Sequence, residues 1–128
     1  MELLKLKNQW IYYPWLINND LDHLIHPDDF REMKISGLGI ALCLSQDDNY
    51  IKIKADNIEI RVKKEGILKL LPEPSFKWND KIELLKNKKC GIIYNLIWHH
   101  KDEKYYYFVE IDGKQLKKRL NNSDLKKI

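Results

Sequence analysis

Apolar and polar residues alternate with a two-residue period through much of the chain, which is typical of β-strands. The two longest segments of this kind, Gly91–Trp98 and Tyr105–Ile111, are joined by a charged turn. Asp112-Gly113 follows them as the signal of a two-residue hairpin. Shorter alternating segments on both sides of Asp56-Asn57 repeat the plan. The pattern therefore predicts an all-β protein of short antiparallel strands.

A single short helix interrupts the β pattern. It is predicted at His26–Lys34, where Pro27 suits the first helical position. Asp28 and Asp29 follow at once, and their charges complement the positive end of the helix dipole. We expect Ser36-Gly37 to end this helix, since glycine commonly follows the last helical turn.

Prolines mark two breaks in the chain. The aromatic segment Gln9–Leu16 predicts a strand, and Pro14 within it predicts that the strand ends there or lies at the edge of a sheet. Pro72-Glu73-Pro74 is the best candidate for a linker. We therefore predict two domains, residues 1–71 and residues 72–128, of which the first carries the aromatic strand and the helix.

The two halves repeat one order of elements. Each begins at a glycine, Gly39 or Gly91, and continues with a strand, an acidic turn, a strand, a tight turn and another strand. Such short strands at regular spacing predict small barrels, which leave no open sheet edges. Units of this length bury too little apolar surface to be stable alone, so we expect them to pack against each other.

Motifs in the second half resemble those of SH3-like barrels of the Tudor and KOW type. Phe76-Lys77-Trp78-Asn79-Asp80-Lys81-Ile82 resembles their hydrophobic-x-x-Gly-Asp-x-Val opening, with Asn79 in place of the glycine. Gly91-Ile92-Ile93 is similar to their second-strand Gly-x-Val motif. Tyr107-Phe108-Val109, Asp112-Gly113 and Ser123-Asp124-Leu125 together resemble their ending. The resemblance implies two packed SH3-like small barrels.

The whole chain also resembles a bacterial family of small uncharacterised proteins. The resemblance lies in His26-Pro27-Asp28-Asp29 and in the block formed by Trp98-His99 and Tyr105-Tyr106-Tyr107. It implies a fold and no established activity. The N-terminal residues lack the apolar core of a signal peptide, and no apolar run is long enough to span a membrane, so a cytoplasmic location is expected.

No pattern of reactive side chains predicts catalysis. The five glycines are too scattered for a phosphate-binding loop, and no serine lies in a nucleophile elbow. His23 and His26, beside Asp28 and Asp29, could supply metal ligands, but a structural role is preferred because His26-Pro27 is equally a helix start. His99 and His100 are neighbours that face opposite sides of a strand end, so they cannot bind one metal together. Cys43 and Cys90 are expected to be two buried free thiols. We therefore predict a protein without catalytic residues, metal or cofactor.

The two halves differ in net charge, and the basic excess lies in the second half. Residues 1–71 have a net charge of −1, whereas residues 72–128 carry 13 basic and 8 acidic residues, a net charge of +5. The strand Tyr105–Ile111 is predicted to pair with a strand over Gln115–Leu120. Alternation directs a set of apolar side chains to the core, namely Tyr105, Tyr107, Val109, Ile111, Leu116 and Leu120. It places aromatic and basic side chains together on the outward face. With two residues from the end of the preceding strand, the candidate binding surface comprises Tyr106, Phe108, Lys117, Arg119, Trp98 and His99.

Three interpretations of this surface remain open at the level of sequence. A non-enzymatic module that binds a protein or peptide is the preferred one, since mixed aromatic and basic surfaces suit such partners. Nucleic-acid binding is the alternative, because aromatic rings stack on bases and cations hold phosphates. In the third interpretation, Phe108 only packs against other parts of the chain. No membrane partner is expected, and the partner and the oligomeric state are left open.

Overall fold

The computed structural model describes residues 5–17, 20–32 and 37–128. Within these ranges the chain forms ten β-strands, one α-helix and three 3-10 helices, and all strand pairs are antiparallel. The predicted all-β class with one short helix is confirmed. No helix in the described part of the chain combines the length and apolar character that a membrane span requires. The chain divides into two compact units, the first ending at Glu73 and the second spanning Pro74–Ile128.

The first unit is built on a five-stranded sheet with the order β4-β3-β2-β1-β5. Its strands are β1 (Trp10–Leu16), β2 (Gly37–Gln46), β3 (Ile51–Ala55), β4 (Ile58–Val62) and β5 (Lys69–Leu71). Between β1 and β2 lie a 3-10 helix at Asp22–Leu24 and the helix α1 (Pro27–Glu32). A second 3-10 helix at Lys64–Gly66 leads from β4 into β5, which pairs with β1.

The second unit has the same strand order, β10-β6-β7-β8-β9, when its strands are counted from its own start. Its strands are β6 (Lys81–Leu84), β7 (Cys90–His99), β8 (Lys104–Ile111), β9 (Lys114–Gln115) and β10 (Leu125–Lys127). A 3-10 helix at Asn122–Asp124 again precedes the last strand. In both units, therefore, four strands follow one another as a meander and the fifth returns to pair with the first.

Tight turns occupy the positions that the sequence predicted. Asp56 has a φ of 58°, and Asp112 and Gly113 have φ values of 52° and 78°, as a type I′ hairpin requires. Asn79 also adopts the left-handed conformation, with a φ of 70°, and its backbone N–H donates to Ile93 O at 2.8 Å. Asparagine tolerates this conformation better than most residues, so it can stand where the resembling motif has glycine.

The core of the first unit is centred on aromatic side chains of β1. Tyr13 and Trp15 are fully buried, and Trp15 Nε1 donates to Leu21 O at 3.0 Å. The hydroxyl of Tyr13 donates to Lys63 O at 2.6 Å, and its ring occupies the space where a side chain at Gly66 would lie. Tyr13 thus holds the 3-10 turn that returns the chain to β5.

The helix α1 is attached to β4 by a bidentate ion pair. Asp29 accepts hydrogen bonds from the Arg61 guanidinium, at 3.0 Å to each carboxylate oxygen, and from the Arg61 backbone N–H at 2.7 Å. These contacts, led by the guanidinium hydrogen bonds, lower the pKa of Asp29. At the start of the helix, His26 Nδ1 accepts the N–H of Asp28 at 3.1 Å. His26 therefore caps the helix, as the sequence indicated.

The prediction for Pro14 was wrong. The strand β1 continues through Pro14 to Leu16 and lies in the interior of its sheet, between β2 and β5. Its register with β2 shifts between Tyr12 and Trp15, which is where the proline lies. A bulge leaves one residue out of the hydrogen-bond ladder, so an interior strand can contain a residue that has no N–H to donate.

Other predicted elements differ in extent. Gly37 is the first residue of β2, and the helix end predicted at Ser36-Gly37 cannot be placed because Met33 to Ser36 lie outside the described residues. Cys43 is buried, but Cys90 is exposed at the first position of β7, so the prediction of two buried thiols was wrong for Cys90. The strand predicted over Gln115–Leu120 is limited to β9, and Leu120 joins β8 by a single bridge to Tyr107.

We predict that Gly91→Ala destabilises the protein by about 1–3 kcal/mol, because an added Cβ would overlap the backbone oxygen of Glu110 on the neighbouring strand. Gly39→Ala is the matched control, since a Cβ there meets nothing within 4 Å. It should be neutral or stabilising by up to about 1 kcal/mol. Urea unfolding followed by circular dichroism measures both. Equal stabilities of the two variants would contradict the close approach at Gly91.

Stability at alkaline pH depends on the buried hydroxyl of Tyr13. Burial raises the pKa of Tyr13, with a smaller contribution from the charge of Glu65. The folded chain therefore keeps the Tyr13 proton above pH about 10, where the unfolded chain releases it, and stability falls as pH rises. Tyr13→Phe is less stable at neutral pH, because it loses the bond to Lys63 O. The gap to wild type should narrow by about 1.4 kcal/mol per pH unit above pH 10 in urea unfolding. A constant gap between pH 9 and 11 would refute this.

Candidate binding surface

The hairpin of β7 and β8 positions most of the residues predicted to form a binding surface. Its register places Trp98 opposite Tyr105 and Ile97 opposite Tyr106, and a bulge shifts the register between Ile93 and Asn95. Along β8, the predicted core face is confirmed for Tyr105, Tyr107 and Val109, which are all buried. The candidate binding surface was expected on the opposite, outer face of this hairpin.

Tyr106 lies on that outer face but is only 6% exposed, so the expectation of an open aromatic ring was wrong. The guanidinium of Arg119 lies 4.2 Å from the ring centroid, and Lys104 Nζ lies 5.0 Å from it. The His99 ring packs edge-on at 5.6 Å between centroids. Long basic side chains beside an aromatic ring readily cover it, because their stems are apolar and their charges are attracted to its π-face.

Hydrogen bonds close this group of side chains further. The Tyr106 hydroxyl donates to Asp102 Oδ2 at 2.8 Å, and this bond, with the positive groups around it, lowers the pKa of Asp102. His99 Nδ1 accepts the backbone N–H of Asp102 at 3.1 Å. Lys104 Nζ donates to Asn121 Oδ1 at 2.7 Å. The polar groups around Tyr106 thus bind one another and stabilise the turn between β7 and β8.

The other predicted surface residues divide between the core and the solvent. Trp98 is 8% exposed, and its ring packs edge-on against Tyr105 at 5.0 Å, so it belongs to the interior. Phe108 is half-buried, with its ring 6.1 Å from that of Tyr94. Lys117 is exposed, as is Arg119 where it covers Tyr106. The structure therefore brings the basic part of the predicted surface to solvent and withdraws most of the aromatic part.

An apolar pocket of about 470 Å³ lies in the second unit beside this basic segment. We call it the leucine pocket, and its defining residues are Leu84, Leu85, Leu116, Leu120, Lys86 and Lys118. The volume falls within the range of roughly 300–1,000 Å³ that is usual for ligand pockets. Two stretches of chain form its walls, the end of β6 with the following turn, and the connection between β9 and β10.

Sequence reasoning missed this pocket, although a signal for it was present. Leu84 and Leu85 are consecutive at the end of a strand, and neighbouring strand residues face opposite sides. Leu84 is accordingly buried, whereas Leu85 is 50% exposed. Leu116 and Leu120 were predicted to face the core, yet both are only half-buried and line the pocket. The connection between β9 and β10 is not a strand, so strand periodicity misplaced them.

Comparison with known proteins identifies a family for this chain. A family model, described as a family of unknown function (DUF6960), matches residues 1–126. The chain belongs to this family. Neither the curated proteins nor the solved structures contain a significant match to the chain. Membership in DUF6960 assigns no role to any residue, so the argument for function depends on the site itself.

The histidines and acidic residues do not assemble a metal centre in the described part of the chain. No group of three or more His, Cys, Asp or Glu side chains is placed there to hold an ion. His26 packs on the Tyr50 ring at 4.8 Å while it caps α1, and His99 packs on Tyr106. Both of these histidines therefore have structural contacts that explain their positions.

We predict that Arg119→Ala lowers the free energy of unfolding by about 0.5–1 kcal/mol, because it removes the cation that covers the Tyr106 ring. Lys117→Ala is the matched control, since Lys117 is a neighbouring exposed cation that has no contact with an aromatic ring of the described chain. Its stability should equal that of wild type in urea unfolding. Equal losses in the two variants would mean that Arg119 does not stabilise Tyr106.

Proposed function

We propose that this protein is a cytoplasmic, non-enzymatic binding module that engages a protein or peptide through its C-terminal unit. The observation that carries the proposal is the position of exposed cations beside an apolar pocket. Lys117, Lys118 and Arg119 follow one another on the connection that also supplies Leu116 and Leu120 to the leucine pocket. An apolar centre with a polar, charged rim is the usual composition of a protein-binding surface.

We further propose that both units are SH3-like barrels that arose by duplication. The shared strand order, with the fifth strand paired to the first, supports this interpretation. So does the 3-10 helix that precedes the fifth strand in each unit. Asn79 supports it locally, because its left-handed conformation is the one for which the resembling motif uses glycine. Such folds host many binding functions, so the fold alone does not choose the partner.

The covered aromatic residues favour a protein or peptide over a nucleic acid. Single-stranded nucleic acids bind through stacking of bases on open aromatic faces, together with cations that contact phosphates. Arg119 already occupies a face of the Tyr106 ring, and Phe108 is half-buried beside Tyr94. The cations that remain exposed attract any acidic partner. The leucine pocket adds an apolar contact that a sugar-phosphate backbone does not use.

The experiment that tests this function compares affinity capture by three forms of the full chain, followed by mass spectrometry. The first form is wild type. The second carries Lys117→Glu and Lys118→Glu, two of the three consecutive exposed cations beside the leucine pocket. The third carries Lys5→Glu and Lys7→Glu, two exposed positions of the N-terminal unit with the same change of charge. We expect one protein to be enriched by wild type and by the third form, and to be lost with the second.

Capture is repeated after nuclease treatment, and the purified chain is applied to heparin and to single-stranded RNA. If the chain binds a protein through this surface, capture should survive nuclease treatment. The purified chain should then bind little RNA at moderate salt. Loss of capture on nuclease treatment, together with RNA binding that declines steeply with salt, would replace the proposal with the nucleic-acid alternative. Equal capture by the second and third forms would exclude the C-terminal surface.

A further inference from the structure

The leucine pocket combines an apolar lining with a charged rim, a combination that favours a particular kind of partner segment. We propose that it receives an apolar side chain of the size of leucine from an acidic peptide segment, whose carboxylates bind Lys86 and Lys118. This inference rests on the proposed function, and it names the chemistry of the partner. The preformed walls of the pocket and the charges beside it support this occupant.

Backbone hydrogen bonds hold one wall of the pocket in place without a ligand. Leu116 N donates to Val109 O at 2.9 Å, and the Tyr94 hydroxyl donates to Leu116 O at 2.7 Å. Leu120 exchanges both of its backbone hydrogen bonds with Tyr107, at 2.8 and 2.9 Å. Both leucines of this wall are thereby fixed to the sheet. A preformed apolar pocket loses little conformational entropy on binding, which favours affinity even for a small contact.

The opposite wall is linked to the same connection. Leu85 N donates to Asp124 O at 3.1 Å, which joins the end of β6 to the 3-10 helix before β10. Leu84 is buried in this wall, and half of the Leu85 side chain remains exposed. An apolar side chain that entered between the walls would cover the exposed parts of the leucines. Burial of apolar surface contributes roughly 25 cal/mol per Å², so an apolar group is the favoured occupant.

The charges beside the pocket favour an acidic segment around that apolar group. Lys86 and Lys118 are exposed, and neither forms an ion pair with any residue that the structure describes. Asp124 also lines the pocket, but its Oδ2 accepts the backbone N–H of Asn121 at 2.9 Å in a capping box. That bond ties the Asp124 carboxylate to the backbone, and the two lysines outnumber this single acidic group, so the pocket rim keeps a net positive charge for a partner.

The proposal is tested with a synthetic probe, the peptide Glu-Glu-Leu-Glu-Glu with blocked ends, titrated into the isotope-labelled full chain. Leucine methyl and backbone amide signals are followed by NMR, which detects dissociation constants of about 1 mM. We expect saturable shifts at the methyl groups of Leu85, Leu116 and Leu120 and at the amides of Lys86 and Lys118. Glu-Glu-Ala-Glu-Glu should bind at least about tenfold more weakly, since alanine buries less apolar surface than leucine.

Matched variants separate the pocket from the general positive charge. Leu85→Ala should weaken binding of the leucine peptide severalfold, and Leu70→Ala, a similarly exposed leucine of the first unit, should leave binding unchanged. Lys86→Glu with Lys118→Glu should abolish it. The peptide Lys-Lys-Leu-Lys-Lys should not bind to wild type. All of the substituted side chains are at least 42% exposed or lie in exposed turns, so the variants should fold.

Each contrary result overturns the inference in a way that leaves the proposed function separately testable. Equal binding of the leucine and alanine peptides would show that charge alone attracts acidic segments, which contradicts the role of the pocket and agrees with the proposed function. Equal binding of the lysine-rich peptide would contradict the acidic character of the partner. Shifts of the same methyl groups with protein concentration alone would make a second copy of the chain the occupant. Absence of any shift overturns the inference, while the capture experiment still decides the function.

Discussion

The return of the fifth strand to the first is the constraint on which both units depend. In the first unit Lys69 to Leu71 pair with β1, and in the second unit Leu125 to Lys127 pair with β6. A meander of four strands would otherwise leave the first strand as an unpaired edge, whose free N–H and C=O groups invite aggregation. The final pairing satisfies those groups with strands of only three residues. It also forces the connection before the last strand to cross the sheet.

That connection is where each unit places its special contacts. In the first unit, the 3-10 turn at Lys64–Gly66 is held by the Tyr13 hydroxyl, and Gly66 makes room for the Tyr13 ring. In the second unit the corresponding connection is longer, because β9 has only two residues. Its residues 116–124 supply one wall of the leucine pocket and three consecutive cations. One wall of the leucine pocket is therefore built on the segment that leads to the last strand, and functional residues are common on loops that a rigid scaffold anchors.

The contacts of Tyr106 show that aromatic and basic side chains of one surface can bind each other in place of a ligand. An exposed ring beside Arg119 and Lys104 is attractive to those cations, and their stems exclude water from it. The hydroxyl of the ring then orients Asp102 in the turn between β7 and β8. The same residue types that would bind a ligand here bind each other. What remains open to a partner lies a short distance along the chain, at the leucines and lysines of the pocket.

The sequence by itself determined the local structure of this protein. Alternation fixed which side chains of β8 face the core, since successive strand residues must point to opposite sides, and Tyr107 and Val109 are buried as expected. Turn chemistry located the hairpin at Asp112-Gly113, because few residues tolerate positive φ. Local rules also identified the start of α1. These effects act between residues that are close along the chain, so a single sequence carries them.

Only the tertiary structure decided the contacts between distant residues. The strand that contains Pro14 is an interior one because β5, more than fifty residues later, pairs with its first three residues. Arg119 covers Tyr106, and Leu116 and Leu120 face Leu85, because the last strand draws their connection across the sheet. The connection has no repeating backbone geometry, so periodicity cannot orient its side chains. Their positions follow from long-range strand pairing and packing, which local propensity does not specify.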